Sequence, residues 1–146
     1  MILKYEQDLT KNDIEILIKY AKRDKDVERI STILQLADTR IKCRMDEMDK
    51  YLNISDVYYF ESVDKRTFAY CERSVYRTEL RLYQLSKDFA KFGFLQINKA
   101  CILNINVLDT IKPLFNSRME ATLKNGERLY ITRKYLDSIK RALQEE

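Results

Sequence analysis

Short apolar runs alternate with polar stretches over the first forty residues of the chain. Residues 2–5 and 14–20 are rich in β-branched side chains, and a polar stretch separates them. Runs of this length and composition predict two strands. Apolar residues then recur at spacings of three and four, which predicts an amphipathic helix over about 26–39, with Asp24 or Asp26 capping its start.

From residue 40 onward, the pattern changes to short strands separated by polar turns. The predicted strands cover 40–44, 50–54, 57–62, 67–71, 74–78, 107–113, 119–123 and 128–132. Two helices are predicted over about 80–90 and 135–143, and Gly93 follows the first of them as a residue near a helix C-terminus. Asn125 and Gly126 favour a type I′ turn in the last hairpin.

These elements predict an α+β fold class with two unequal parts. A mainly β domain of small packed sheets and short helices is expected over residues 42–146, and a small ββα extension over residues 1–41 precedes it. The extension is too short to bury a full core alone. We therefore expect it to pack on the following domain or on a second copy of the chain.

The stretch from Phe94 to Asn104 combines an apolar anchor with a polar cluster. Its apolar side chains are expected in a core, whereas Gln96, Asn98 and Lys99 lie between them and are expected at the surface. Amide and ammonium groups are suited to hydrogen bonding with an anionic polymer.

Composition narrows the chemistry that the chain can perform. It has no histidine, which excludes Ser-His-Asp and Cys-His catalysis, and three widely spaced cysteines show no zinc-ligand spacing. An enzyme would need other groups, for example Glu61 with Lys65 or Asp64 as acid and base. Neither a glycine-rich phosphate loop nor a paired-carboxylate spacing supports that alternative. We expect no enzymatic activity, no cofactor, no metal and no small-molecule substrate.

The N-terminus lacks the layout of a signal peptide, and no apolar run is long enough to span a membrane, so a cytoplasmic location is expected. The net charge of +4 is unevenly distributed. Residues 1–50 hold 11 basic and 11 acidic side chains, whereas residues 51–146 hold 16 basic and 12 acidic ones. A positive field over the C-terminal two-thirds favours an anionic partner.

Three clusters of basic and amide side chains are predicted at the ends of strands. They are Lys65, Arg66 and Thr67; Gln96, Asn98 and Lys99; and Arg133 and Lys134. Each cluster by itself is also typical of an ordinary solvated surface. Together, in the part of the chain that carries the positive excess, they favour contacts to phosphates and base edges of nucleic acid.

The order of three motifs resembles the LytTR family of bacterial DNA-binding domains over about residues 42–146. The motifs are Tyr59–Arg66, Phe94–Asn104, and Asn125-Gly126 followed by Ile131–Tyr135. The resemblance implies an elongated, mostly β fold that reads double-stranded DNA through loops. By motif position, the three clusters would be the contacts, the outer two in successive major grooves and the middle one at the backbone between them.

The central motif departs from the family's usual residues. Gln96, Asn98, Lys99 and Ala100 stand where the family commonly has Arg, His, Arg and Ser. Lysine cannot form the planar bidentate contact that arginine makes with guanine. Either the sequence preference differs from that of relatives, or base reading depends more on Arg66 and Arg133.

Two functions remain open from the sequence. The first is a sequence-specific DNA-binding transcriptional regulator that binds paired half-sites as a homodimer. The second is a protein-interaction or sensory module that acts through the N-terminal ββα unit without DNA contact. The chain resembles free-standing family members without a receiver domain, which implies a membrane-protein partner as a further hypothesis.

Overall fold

The computed structural model describes residues 1–144, which form three helices and ten strands. The helices are α1 (Lys25–Ala37), α2 (Leu82–Phe89) and α3 (Leu136–Gln144). The strands are β1 (Arg40–Met45), β2 (Met48–Asn53), β3 (Tyr59–Val63), β4 (Arg66–Tyr70), β5 (Val75–Thr78), β6 (Phe94–Asn98), β7 (Cys101–Asn104), β8 (Leu108–Pro113), β9 (Met119–Leu123) and β10 (Arg128–Ile131). The predicted mainly β domain with short helices is therefore confirmed.

Two antiparallel sheets organise these strands. Seven strands form the larger sheet in the order β2-β1-β5-β4-β3-β7-β6, and β10-β9-β8 form the smaller one. Most neighbours along the chain are joined by tight hairpins, which antiparallel pairing allows. The strand β6 is the edge of the larger sheet that lies next to the smaller sheet.

Alternating side chains on the larger sheet separate two hydrophobic cores. On one face, Phe60, Ala69, Leu85 and Phe94 belong to a core that α2 covers. On the other face, Tyr59, Ile97, Cys101 and Leu103, among others, belong to a second core shared with the smaller sheet and α3. Because successive residues of a strand point to opposite faces, one sheet can serve both cores. Helix α1 contributes Leu36 to the first core but buries no residue completely.

The predicted N-terminal strands are wrong. Residues 2–5 and 14–20 form no strand in the described part of the chain, and nearly all their side chains are exposed. A strand needs a hydrogen-bonding neighbour, and β-branched composition alone does not supply one. The helix of the extension is confirmed as α1, and the Asp24 side chain caps it by accepting from the Val27 amide at 3.0 Å. Within residues 1–144, no helix is long and apolar enough to cross a membrane.

The hairpin turns differ from the prediction in their type. At Asn125-Gly126 only the glycine has a positive φ, at +90°, and the Gly126 amide donates to the Leu123 carbonyl. This is a three-residue loop with a glycine bulge rather than a type I′ turn. Positive φ at both central residues, as a type I′ turn requires, occurs instead at Asp46-Glu47 and Asp64-Lys65.

Candidate nucleic-acid interface

The turn between β3 and β4 carries the first cluster. Lys65 and Arg66 are exposed at this turn, whereas Thr67 is only 4% exposed and faces the first core. The guanidinium of Arg81 donates to the Lys65 carbonyl at 3.1 Å and fixes the turn from the side of α2. The Thr67 side chain is therefore not available at the surface, and the first cluster consists of Lys65 and Arg66.

The turn between β6 and β7 carries the second cluster, on the predicted apolar anchor. Phe94, Ile97 and Ile102 are buried, which confirms the anchor, and Lys99 is exposed at the tip. Asn98 accepts a hydrogen bond from the Ala100 amide at 3.0 Å, while Gln96 donates to the Lys99 carbonyl at 3.3 Å. A bulge between Gln96 and Asn98 changes the register just before the turn. Such bulges re-aim side chains next to functional sites.

Asn98 joins this turn to the smaller sheet. Its Nδ2 donates to the Tyr130 carbonyl at 3.0 Å. A side-chain amide has two N–H donors and an oxygen with two lone pairs. After its two internal hydrogen bonds, Asn98 therefore keeps one donor and one acceptor, the pair that an asparagine needs for a bidentate contact with adenine.

The segment after β10 carries the third cluster. Arg133 and Lys134 lie in a single 3₁₀ turn, Arg133–Tyr135, directly before α3, and both side chains are exposed. The Thr132 amide donates to the Ile97 carbonyl at 2.9 Å, which holds the start of this segment against β6. The ammonium of Lys134 lies 5.5 Å from the centre of the Tyr135 ring.

Backbone hydrogen bonds bring the three clusters to one end of the larger sheet. The Ser62 amide donates to the Ala100 carbonyl at 2.8 Å, so the first turn lies beside the second. The contacts of Asn98 with Tyr130 and of Thr132 with Ile97 then place the third segment on the other side of the second turn. Segments that are about 35 residues apart in sequence thus form one row.

The row is electropositive and its cations are free. Among residues 1–144, none of Lys65, Arg66, Lys99, Arg133 and Lys134 forms an ion pair. Free guanidinium and ammonium groups at loops are the donors that contact phosphates and guanine.

The carboxylates of Glu61 and Glu127 accept hydrogen bonds from a stacked pair of tyrosines. The rings of Tyr59 and Tyr70 are 4.3 Å apart and nearly parallel. The Tyr59 hydroxyl donates to Glu127 at 2.6 Å, and the Tyr70 hydroxyl donates to Glu61 at 3.3 Å. Burial, aided by the Glu127 carboxylate, raises the pKa of Tyr59, so its phenol remains a donor. Glu61, considered above as a general acid or base, thus accepts a hydrogen bond within the larger sheet, whereas Glu127 links Tyr59 to the hairpin of β9 and β10 in the smaller sheet.

Two further arginines adjoin the row and were not predicted from the sequence. The guanidinium carbon of Arg118 lies 4.9 Å from the centre of the Tyr130 ring, and Arg81 contacts the first turn as described. Both lie far along the chain from the clusters they approach. Their positions depend on sheet pairing, and no local pattern in the sequence indicates it.

Comparison with known proteins identifies related sequences over most of the chain. The family model described as the LytTr DNA-binding domain matches residues 49–144. The sensory transduction protein LytT of Bacillus cereus is 27% identical over 138 residues, which cover 90% of this chain and 55% of that protein. An uncharacterised HTH-type transcriptional regulator of Staphylococcus aureus is 30% identical over 99 residues, which cover 68% of this chain and 67% of that protein.

A solved structure has the same fold. The LytTr DNA-binding domain of a response regulator from Bacillus cereus matches with a TM-score of 0.68 and 22% identity, over 72% of this chain and 96% of that domain. At this identity the match shows the fold alone. The chain spans about half the length of LytT, the longer relative described above.

Proposed function

Because this chain belongs to the LytTR family and the matched domain is a DNA-binding one, we propose that it is a sequence-specific transcriptional regulator. It contacts double-stranded DNA through the row formed by Lys65, Arg66, Gln96, Asn98, Lys99, Arg133 and Lys134. The observation that carries this proposal is the convergence of three basic and amide clusters, free of ion pairs among the described residues, at one end of the sheet. Two relatives named as a sensory transduction protein and a transcriptional regulator support it.

The chemistry of the row divides its members into two roles. Lys99 and Lys134 are point charges that suit phosphate oxygens, whereas Arg66 and Arg133 can form bidentate contacts with guanine. Asn98 suits adenine through its remaining donor and acceptor. We further propose that two copies bind paired half-sites as a homodimer. Because bacterial genomic DNA lies in the cytoplasm, the proposed function implies a cytoplasmic location for the protein.

Selection of bound fragments from a random DNA pool tests the proposal first. An enriched sequence is expected, and its affinity should fall steeply as salt rises, because binding releases counterions from the phosphates. Recovery of fragments without a common sequence would contradict specificity. Affinity that does not depend on salt would contradict binding through the row.

Single variants then test the two roles by fluorescence anisotropy on the selected duplex. Lys99→Ala and Lys134→Ala should each lower the slope of log affinity against log salt by about 1 and weaken all sequences equally. Arg133→Ala should weaken the selected sequence by about 1–3 kcal/mol and relax one position of it. The matched control is Lys87→Ala, an exposed lysine on α2 outside the row. Equal binding by all four variants would refute the proposed interface.

A further inference from the structure

A second group of cations lies on the open face of β1 and β5, away from the three turns. Lys42 and Arg44 on β1 and Arg77 on β5 are exposed, and the residues that alternate with them are buried in the first core. All three therefore point to the face of the sheet opposite that core. The smaller sheet and α3 cover this face over β3, β7 and β6 but leave it open here.

Two arginines face each other directly on this surface. Arg44 and Arg77 are paired residues in the register of β1 and β5. Like charges directly opposite each other on neighbouring strands are destabilising. Asp49 lies 3.6 Å from Arg44 and 3.5 Å from Lys42, but within residues 1–144 Arg77 has no carboxylate partner. The surface thus holds a repulsive pair that an added anion would relieve.

A cleft opens beside this pair. Within residues 1–144, the ladder between β1 and β5 contains the single pair Arg44 and Arg77, and beyond it the Thr78 hydroxyl donates to the Lys42 carbonyl at 3.4 Å. A cleft at this position has a volume of about 440 Å³. The cations Lys42, Arg44 and Arg77 line it together with the carboxylates of Asp49 and Glu79, so three positive charges face two negative ones. A phosphate group fits such a space and would accept from more than one guanidinium.

The same cations continue the row at the turns. In the register of β4 and β5, Phe68 is opposite Arg77, so Arg66 is a diagonal neighbour of Arg77 on the same face. Arg66, Arg77 and Arg44 then stand on three adjacent strands, which are about 4.8 Å apart, over roughly 10 Å. We call Arg66, Arg77, Arg44 and Lys42 the basic track. It leads from the first turn across the sheet.

We propose that the basic track binds the phosphate backbone of DNA that flanks the segment held by the three turns. This inference rests on the proposed function, because Arg66 belongs to both surfaces and sets the direction in which the duplex would continue. The side chains stand on a sheet face rather than on a protruding loop, so they meet the outside of the duplex and not its base edges. The contact is therefore expected to be independent of flanking sequence.

Two duplexes that differ only in length test the inference. The short duplex contains the selected sequence alone, and the long one adds flanking base pairs of unrelated sequence. On the long duplex, the double variant Arg44→Ala, Arg77→Ala should lower the slope of log affinity against log salt by about 2. On the short duplex, it should bind like the unmodified protein. Lys87→Ala is again the control, and circular dichroism checks that the double variant folds.

The outcomes separate this inference from the proposed function. An unchanged slope for the double variant on the long duplex, while Lys99→Ala and Arg133→Ala still weaken binding, would overturn only the basic track. An equal loss on both duplexes would also overturn it, because the track would then contact the selected segment itself. If Lys99→Ala and Arg133→Ala bind normally on either duplex, the proposed interface fails instead.

Discussion

Gly93 offers a test of how tightly the start of β6 is packed. It has a φ of +88° and directly precedes the strand that leads to Asn98 and Lys99. Its amide donates to the Ala90 carbonyl, and its carbonyl accepts from the Ile105 amide at 2.9 Å. In Gly93→Ala, the new Cβ would lie 2.8 Å from Cγ2 of Ile105 and 3.3 Å from Nδ2 of Asn106. Both contacts are closer than side chains normally approach.

Two effects of this substitution can be separated by a second glycine. The left-handed backbone conformation costs a residue with a Cβ about 1–2 kcal/mol. Forcing an extra methyl group into a packed site costs a further 1–3 kcal/mol or so. Gly126 has a similar φ of +90°, but no atom lies within 4 Å of its added Cβ. Gly126→Ala should therefore lose about 1–2 kcal/mol, and Gly93→Ala about 2–5 kcal/mol.

Urea unfolding followed by circular dichroism measures both losses in the free energy of unfolding. The transition midpoints should fall in the order unmodified protein, Gly126→Ala and Gly93→Ala, with similar dependence on urea concentration. Because both glycines have a φ near +90°, the cost of the backbone conformation is the same in the two variants. The difference between their free energies of unfolding therefore measures the steric clash at Gly93. If Gly93→Ala is no less stable than Gly126→Ala, the close packing against Ile105 is wrong.

Four other substitutions or treatments have expected outcomes. Asn98→Ala removes hydrogen bonds to Ala100 and Tyr130 and should lower the free energy of unfolding by about 1–2 kcal/mol in urea; an unchanged midpoint would contradict the bridge between the sheets. Tyr59→Phe removes a donor to the Glu127 carboxylate and should lower the free energy of unfolding by about 1.5–3 kcal/mol in the same assay; an unchanged midpoint would contradict a stabilising role for this hydrogen bond. Burial raises the pKa of all three cysteines, to about 11 for Cys43, but only Cys71 is partly exposed. Iodoacetamide at pH 8 should therefore label Cys71 first, as mass spectrometry can show. Because an unfolded thiol ionises near pH 9, the stability that buried Cys43 confers is complete below pH 9 and is lost as pH rises towards 11; Cys43→Ala should flatten that decline.

Local patterns in the sequence predicted most of the β domain, because its strands pair mainly with neighbours along the chain. The positions of the hairpins, α2, α3 and the apolar anchor of Phe94 to Asn104 follow from alternation, turn residues and helical spacing. The prediction of two N-terminal strands was wrong because these segments have no pairing partner. Their composition is suitable, but in the described part of the chain residues 2–5 and 14–20 pair with no strand of either sheet.

The arrangement of the candidate site could not be predicted from local sequence patterns. The three clusters were identified from residue types, but their convergence depends on hydrogen bonds between distant segments, such as Asn98 with Tyr130. Thr67 was included in the first cluster because it adjoins Arg66. Successive residues of a strand point to opposite faces, however, so its side chain points towards the core. The pairing of Arg44 with Arg77 likewise depends on a register that no local pattern encodes.

Lys65 has a backbone conformation that works against its own stability. Its φ of +65°, in a turn that would suit glycine, costs a lysine about 1–2 kcal/mol. Glycine at this position would relieve that strain but would remove a charge from the end of the sheet. Glu47 occupies the equivalent position in the hairpin of β1 and β2, outside the proposed interface, where the same replacement sacrifices no positive charge. Glycine at Lys65 would therefore stabilise the fold but weaken the proposed binding to DNA. Glycine at Glu47 would stabilise the fold without that loss.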